Sequence, residues 1–170
     1  MNEPKHNNNA HNNTEHNNNG HKSAEDALRR RLETSPFWNH LGIQLVSMET
    51  GRAELKLPVK SELGQSFALV HGGAIASLLD AAGAVAHFAA MDLSREYLST
   101  IELKINYLNP VQVTAAEMLA TGKVLKKGKK IGVSSIEIKL AGGEELVAAG
   151  MATYAILEHK NKKTKPEQEG

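Results

Sequence analysis

Two hydrophobic periods divide the chain. Arg52 to Val59 alternates strictly, with Ala53, Leu55, Leu57 and Val59 on one side and Arg52, Glu54, Lys56 and Pro58 on the other. With Ile43 to Met48 it predicts a hairpin turned at Glu49-Thr50-Gly51, one face of which is wet. From Val70 to Met91 the period changes, and the run reads as one helix. At about 100° per residue its two faces differ. Ile75, Leu78, Leu79, Ala82, Val85 and Ala89 form a bulky stripe suited to packing on a sheet, while Gly73, Ala76, Ser77, Asp80, Gly83, Ala84 and His87 form a second stripe of small residues. A solvent face would carry Lys and Glu, so Asp80 is expected to be shielded from bulk water.

Four more strands are predicted at 99–108, 113–126, 130–140 and 145–157, separated by Asn109-Pro110, Lys127-Gly128-Lys129 and Ala141-Gly142-Gly143. A change of phase at Ser134-Ser135 predicts a bulge there. Two strands, a long helix and four strands with short turns describe an α+β domain, an antiparallel sheet of about six strands wrapped around one long central helix. Residues 23–158 are assigned to it. Within them Ser23 to Glu33 predicts a short helix, and Phe37 to Leu41 an apolar connector lying on the core.

The ends differ in composition. Residues 1–22 run in pentads with histidines at 6, 11, 16 and 21, a His/Asn-rich tail with almost nothing to bury and expected to be disordered. Four spaced imidazoles without a fixed geometry do not define a metal site, although a metal-handling role for this tail is a distinct hypothesis. Residues 159–170 form a second, polar and basic tail.

A net charge of +1 implies no strong pull toward nucleic acid or membrane, and zero cysteines exclude a disulfide framework and a thiolate nucleophile. The start, MNEPKHNNNA, lacks the apolar core of a signal peptide, so a cytoplasmic protein is expected. Phe67 to Met91 is long enough to be tested as a membrane span, but a central Asp costs about 2.5 to 3.5 kcal/mol on insertion scales. Membrane insertion is therefore not expected. GKVLKKGKK at 122–130 fails as a phosphate-binding loop: its glycines are spaced one residue too far apart and no Ser or Thr follows the lysine. No zinc, nucleophile-elbow or dinucleotide motif is present, and neither metal nor cofactor is expected.

The candidate chemistry lies at the start and middle of the long helix. Gly72 and Gly73 follow His71 where the first helical N–H groups lack intrahelical partners, and such donors attract the charge that develops on a carbonyl oxygen in acyl transfer. The same pair can also be a plain tight turn. Asp80 can be a catalytic carboxylate or a structural partner for a buried hydroxyl or amide. Two groups this far apart on one rigid helix do not readily serve one reaction centre, so cooperation between them would need two copies of the chain. Lys123, Lys126, Lys127, Lys129 and Lys130 gather at one hairpin, either a solvated turn or a clamp for phosphates.

HGG at 71–73 followed by Asp80, between a two-strand lead-in and a four-strand run, together with TIELKINYLNPV at 100–111 and KKGKKIGVSSIEI at 126–138, resembles the hotdog-fold acyl-CoA thioesterases of the phenylacetate-degradation (PaaI-like) type. The resemblance covers residues 35–157. It implies a homodimer or dimer of dimers with active sites at the subunit interface and acyl-CoA as substrate. It further implies that the Gly72 N–H meets the thioester carbonyl and that Asp80 of the other subunit is general base or nucleophile. Thr100 would help orient the attacking water. Gln65 stands where the family commonly has Asn, an amide on an arm one methylene longer. His71 is read as a hydrogen-bonded ring beside the helix start rather than a base, and with Gly73 it borders the substrate. Lys127, Gly128, Lys129 and Lys130 match the region that meets the coenzyme A nucleotide. A non-catalytic module that binds or senses acyl-CoA is the alternative from another class.

Overall fold

A computed structural model gives the structure of the protein and describes residues 26, 28–30 and 32–159. The pentad tail and residues 160–170 lie outside the described residues, as do Ser23 and Ala24 of the first predicted helix; residues 28–30 and 32–33 are helical, and Leu28 is buried in the core.

The elements are α1 (Pro36–Leu41), β1 (Gln44–Glu49), β2 (Arg52–Pro58), a 3-10 turn (Ser61–Leu63), α2 (Gly72–Phe88), β3 (Glu96–Tyr107), β4 (Glu117–Lys127), β5 (Ile131–Leu140) and β6 (Leu146–Glu158). The six strands form one sheet in the order β1-β2-β4-β5-β6-β3, with every neighbouring pair antiparallel. This is the expected α+β architecture. The connector at 37–41 is itself helical, because Pro36 supplies a ready-made first position. Trp38 and Leu41 pack on the core while the Phe37 side chain is exposed.

In β2, Ala53, Leu55 and Leu57 are buried and the charged residues between them are not, as the alternation predicts. On α2, Leu78, Leu79, Ala82 and Val85 are wholly buried. Gly122 on β4 lets the helix lie this close, since a Cβ there would collide with the carbonyl of Ala82.

The second stripe of α2 divides in two. Gly73, Ala76, Ser77 and Asp80 remain partly open, whereas Gly83, Ala84 and His87 are buried, because β5 and β6 curl over the C-terminal half of the helix and bring Ile136, Gly132 and Tyr154 against it.

The bulge predicted at Ser134-Ser135 is not on β5. Gly132, Ser134, Ile136 and Ile138 form one uninterrupted inward row, and the Ser134 hydroxyl donates to the carbonyl of Gly83 at 3.1 Å. The extra residue is Leu125 on β4, between the pairs Val124↔Ser134 and Lys126↔Val133. The strand predicted at 99 begins at Glu96, after a turn in which the Asp92 carboxylate accepts from the Ser94 N–H and hydroxyl. The strand predicted at 113 begins at Glu117.

Candidate functional site

The first turn of α2 is built from three residues of the HGG run. His71 caps the helix, its Nδ1 accepting from the Gly73 N–H at 2.8 Å, so the ring is hydrogen-bonded at the helix start. That leaves the Gly72 N–H, for which no acceptor is found among the described residues. The Tyr107 hydroxyl donates to the Gly72 carbonyl at 3.1 Å, and a Cβ at Gly72 would press on the Tyr107 ring at 3.3 Å. The bare helix start therefore offers one free donor, the Gly72 N–H, next to the Gly72–Gly73 peptide that Tyr107 and His71 hold from both sides.

Two apolar-walled clefts flank it. One, of about 310 Å³, is lined by Gln65, Gly72, Ile75, Tyr107, Leu108 and Pro110 among others. The other, of about 420 Å³, lies on the His71 and Gly73 side against Phe37, Leu41, Ala74 and Ser77. Gln65 and Gly72 thus share one cleft wall, and His71 and Gly73 share the other.

Asp80 lies two turns further along the helix and borders neither cleft. The Thr100 hydroxyl donates to Asp80 Oδ1 at 2.9 Å. A β-bulge aims it. Thr100 pairs with Tyr154 and Glu102 with Thr153, so Ile101 is the extra residue, and Thr100 is turned to the same face as Leu103 and Ile105. Ile101 is pushed outward and is 56% exposed. Burial raises the Asp80 carboxyl above its ordinary pKa, with the hydroxyls of Thr100 and Tyr154 pulling the other way. A carboxylate held in this way is a stronger proton acceptor near neutral pH than one in water.

The lysine hairpin lies at the other end of α2. The Gly128 N–H closes the turn onto the Ile131 carbonyl at 2.9 Å, and Gly132 beside it packs on the His87 ring. Lys127 Nζ stands 4.0 Å from Glu96 Oε2, while Lys129 and Lys130 are exposed. Within one chain, then, the predicted residues form three separate groups: Gln65, His71, Gly72 and Gly73; Asp80 with Thr100; and Lys127 to Lys130. Among the described residues no three His, Asp or Glu side chains converge to hold a metal ion, and no helix is long and apolar enough to cross a membrane.

Sequence reasoning missed Tyr107 and Tyr154. Tyr154 is fully buried on β6 and donates to the Asp80 carbonyl at 3.0 Å. Its only sequence signal is a lone aromatic in a run of small residues, AAGMATYA.

The description "Thioesterase superfamily" matches residues 67–147. The medium/long-chain acyl-CoA thioesterase YigI of Escherichia coli is 33% identical over 136 residues, covering 71% of this chain and 85% of that one. SSO2140 of Saccharolobus solfataricus is 35% identical over 120 residues, 71% of this chain and 82% of the relative. Among solved structures, conserved protein PA5202 from Pseudomonas aeruginosa superposes with a TM-score of 0.70 at 32% identity, over 75% of this chain and 98% of its own. Thioesterase HI1161 from Haemophilus influenzae, 20% identical, gives a TM-score of 0.71 over 81% and 92%, a likeness of fold. A long helix wrapped by a six-stranded antiparallel sheet is the hotdog fold of these proteins. The chain belongs to the thioesterase superfamily.

Proposed function

We propose that the protein hydrolyses acyl-CoA thioesters as a PaaI-like enzyme, at sites built from two copies of the chain. The observation that carries this reading is the Asp80 carboxylate, partly buried, raised in pKa and held by Thr100 at one oxygen, which leaves the other for a water. Asp80 takes a proton from that water as its oxygen attacks the thioester carbonyl. The Gly72 N–H stabilises the oxyanion of the tetrahedral intermediate. Collapse breaks the C–S bond, and the CoA thiolate leaves with the proton from Asp80, which restores the carboxylate. If the carboxylate attacks directly instead, water completes the turnover by opening the anhydride.

Gly72 and Asp80 of one chain are about 12 Å apart along α2, too far to meet at one carbonyl. A two-fold axis would set Gly72 of one subunit beside Asp80 of the other. β3 is a terminal strand of the sheet, with Ile101 and Tyr107 on it and Leu108 just after it exposed, a surface suited to such pairing. Lys127, Lys129 and Lys130, with Gly128 in the turn, would meet the nucleotide phosphates of coenzyme A.

The test is release of free CoA thiol from short, medium, long and aromatic acyl-CoAs by wild type and by Asp80→Asn. Turnover that disappears in the variant is expected, and the preferred chain length identifies the acyl group. Binding of acyl-CoA with no thiol release from any member of the panel would replace the enzyme with a binding module.

A further inference from the structure

Tyr154 has no role in the reading above, yet it makes the most specific buried contact to the turn that carries Asp80. Its hydroxyl donates to the main-chain carbonyl of Asp80 at 3.0 Å, and on the adjacent strand β5 the Ser134 hydroxyl donates to the carbonyl of Gly83 at 3.1 Å. Two buried hydroxyls from adjacent strands therefore tether one turn of α2. Gly83 makes the first tether possible, because a Cβ there would collide with the Tyr154 hydroxyl. On the other side, Tyr154 is the direct cross-strand partner of Thr100. One cross-strand pair thus fixes both parts of Asp80: Tyr154 its backbone and Thr100 its carboxylate.

We infer that Tyr154 is a positioning residue for Asp80, and that Gly83 is the small residue that admits it. The inference rests on the proposed thioesterase role of Asp80. A purely structural role for the hydroxyl is the competing explanation, and the helix itself separates the two. As an interior helical residue, Asp80 already receives the Ala84 N–H, so loss of the tyrosine hydroxyl strands no buried carbonyl and removes no ring packing. What it removes is the constraint on where the carboxylate sits relative to Thr100, together with the hydroxyl's downward pull on the Asp80 pKa, and reactions that depend on such placement are sensitive to small displacements.

The experiment is a double-mutant cycle of Tyr154→Phe and Gly83→Ala in the full chain, read by thermal unfolding and by acyl-CoA hydrolysis. Tyr154→Phe is expected to keep its melting temperature and its KM while kcat falls by about fivefold to tenfold. Gly83→Ala alone is expected to lose both stability and kcat. In the Tyr154→Phe background it should cost less stability, because the colliding hydroxyl is gone and only the flexible end of Ile136, 3.0 Å from where a Cβ would be, has to give; the unfolding arm needs no substrate. Wild-type kcat in Tyr154→Phe, from an enzyme that is otherwise active, overturns the positioning role alone. Additive stability effects overturn the assignment of Gly83. A wild-type chain that hydrolyses no thioester at all overturns the thioesterase reading, and the positioning role of Tyr154 falls with it.

Discussion

The hydroxyl of Thr100 donates to Asp80 Oδ1 at 2.9 Å, and still burial leaves the carboxyl with a raised pKa. Over the interval from its unfolded pKa near 3.8 up to the raised folded value, the native state holds more protons than the unfolded chain. Stability therefore falls as pH rises through that interval, and above it the ionised Asp80 destabilises the fold. Asp80→Asn keeps an oxygen for Thr100 and sheds the charge. It is expected to lose at least about a hundredfold in kcat while its melting temperature at pH 7 stays level or rises. Calorimetry and thiol release on the same preparations check both; a less stable Asn variant with near wild-type turnover would remove Asp80 from the mechanism.

His87 carries the opposite sign. It is wholly buried, edge-on to Tyr154 with ring centroids 5.4 Å apart, and neither ring nitrogen has a partner among the described residues. Burial, and then the charge of Lys127, push its pKa below 6.5, so the native ring is neutral where the unfolded one is already taking up a proton. Its contribution is full above about pH 6.5 and is lost as pH falls toward the folded value. Thermal unfolding of wild type and His87→Leu at pH 7.5 and 5.5 isolates this term, since Asp80 is common to both. Wild type is expected to lose more stability on acidification than the variant, and parallel losses would contradict it.

Much of this was legible in the sequence where burial alone sets the pattern. Ala53, Leu55 and Leu57 alternate and are buried, and Leu78, Leu79, Ala82 and Val85 mark the helix face that meets the sheet. Position proved harder to read where polar groups enter the core. Ser134 looked like a break in phase because a hydroxyl sits in an apolar row, and its partner, the Gly83 carbonyl, has no signature in sequence. Ile101, Leu103 and Ile105 alternate without interruption, so nothing in the residues announces the bulge that turns Thr100 toward Asp80. Resemblance to a family singled out Thr100; the bulge is the local cause of its orientation. Tyr107 and Tyr154 escaped notice for the same reason as Ser134, since both bond to backbone carbonyls.

The lysine hairpin gives a prediction that separates nucleotide binding from chemistry. Lys129 and Lys130 are exposed and lie at the end of α2 away from Gly72 of the same chain. If they meet coenzyme A phosphates, Lys129→Glu with Lys130→Glu raises KM for acyl-CoA by about tenfold and makes it less sensitive to salt, with kcat unchanged. A thioester of pantetheine, which lacks the nucleotide, should be hydrolysed equally by both proteins. Equal KM values for acyl-CoA would return the hairpin to the status of a solvated turn.

The separation of Gly72 from Asp80 along one helix gives the most direct test of a site shared between subunits. Gly72→Val places a branched side chain against the Tyr107 ring, which already stands 3.3 Å from where a Cβ would be, and so displaces the Gly72 donor. Asp80→Asn removes the base. Each homodimer is expected to be nearly inactive. When the two variants are unfolded together and refolded, or co-expressed, random pairing makes half of the dimers mixed. In each mixed dimer one site combines the intact Gly72 of the Asp80→Asn chain with the intact Asp80 of the Gly72→Val chain, while the other site carries both lesions. One site in two is then whole in half of the dimers, and activity should recover to about a quarter of wild type. Recovery requires the two groups to come from different chains. If Gly72 and Asp80 of the same chain worked together, every site in the mixture would keep one lesion and mixing would restore nothing.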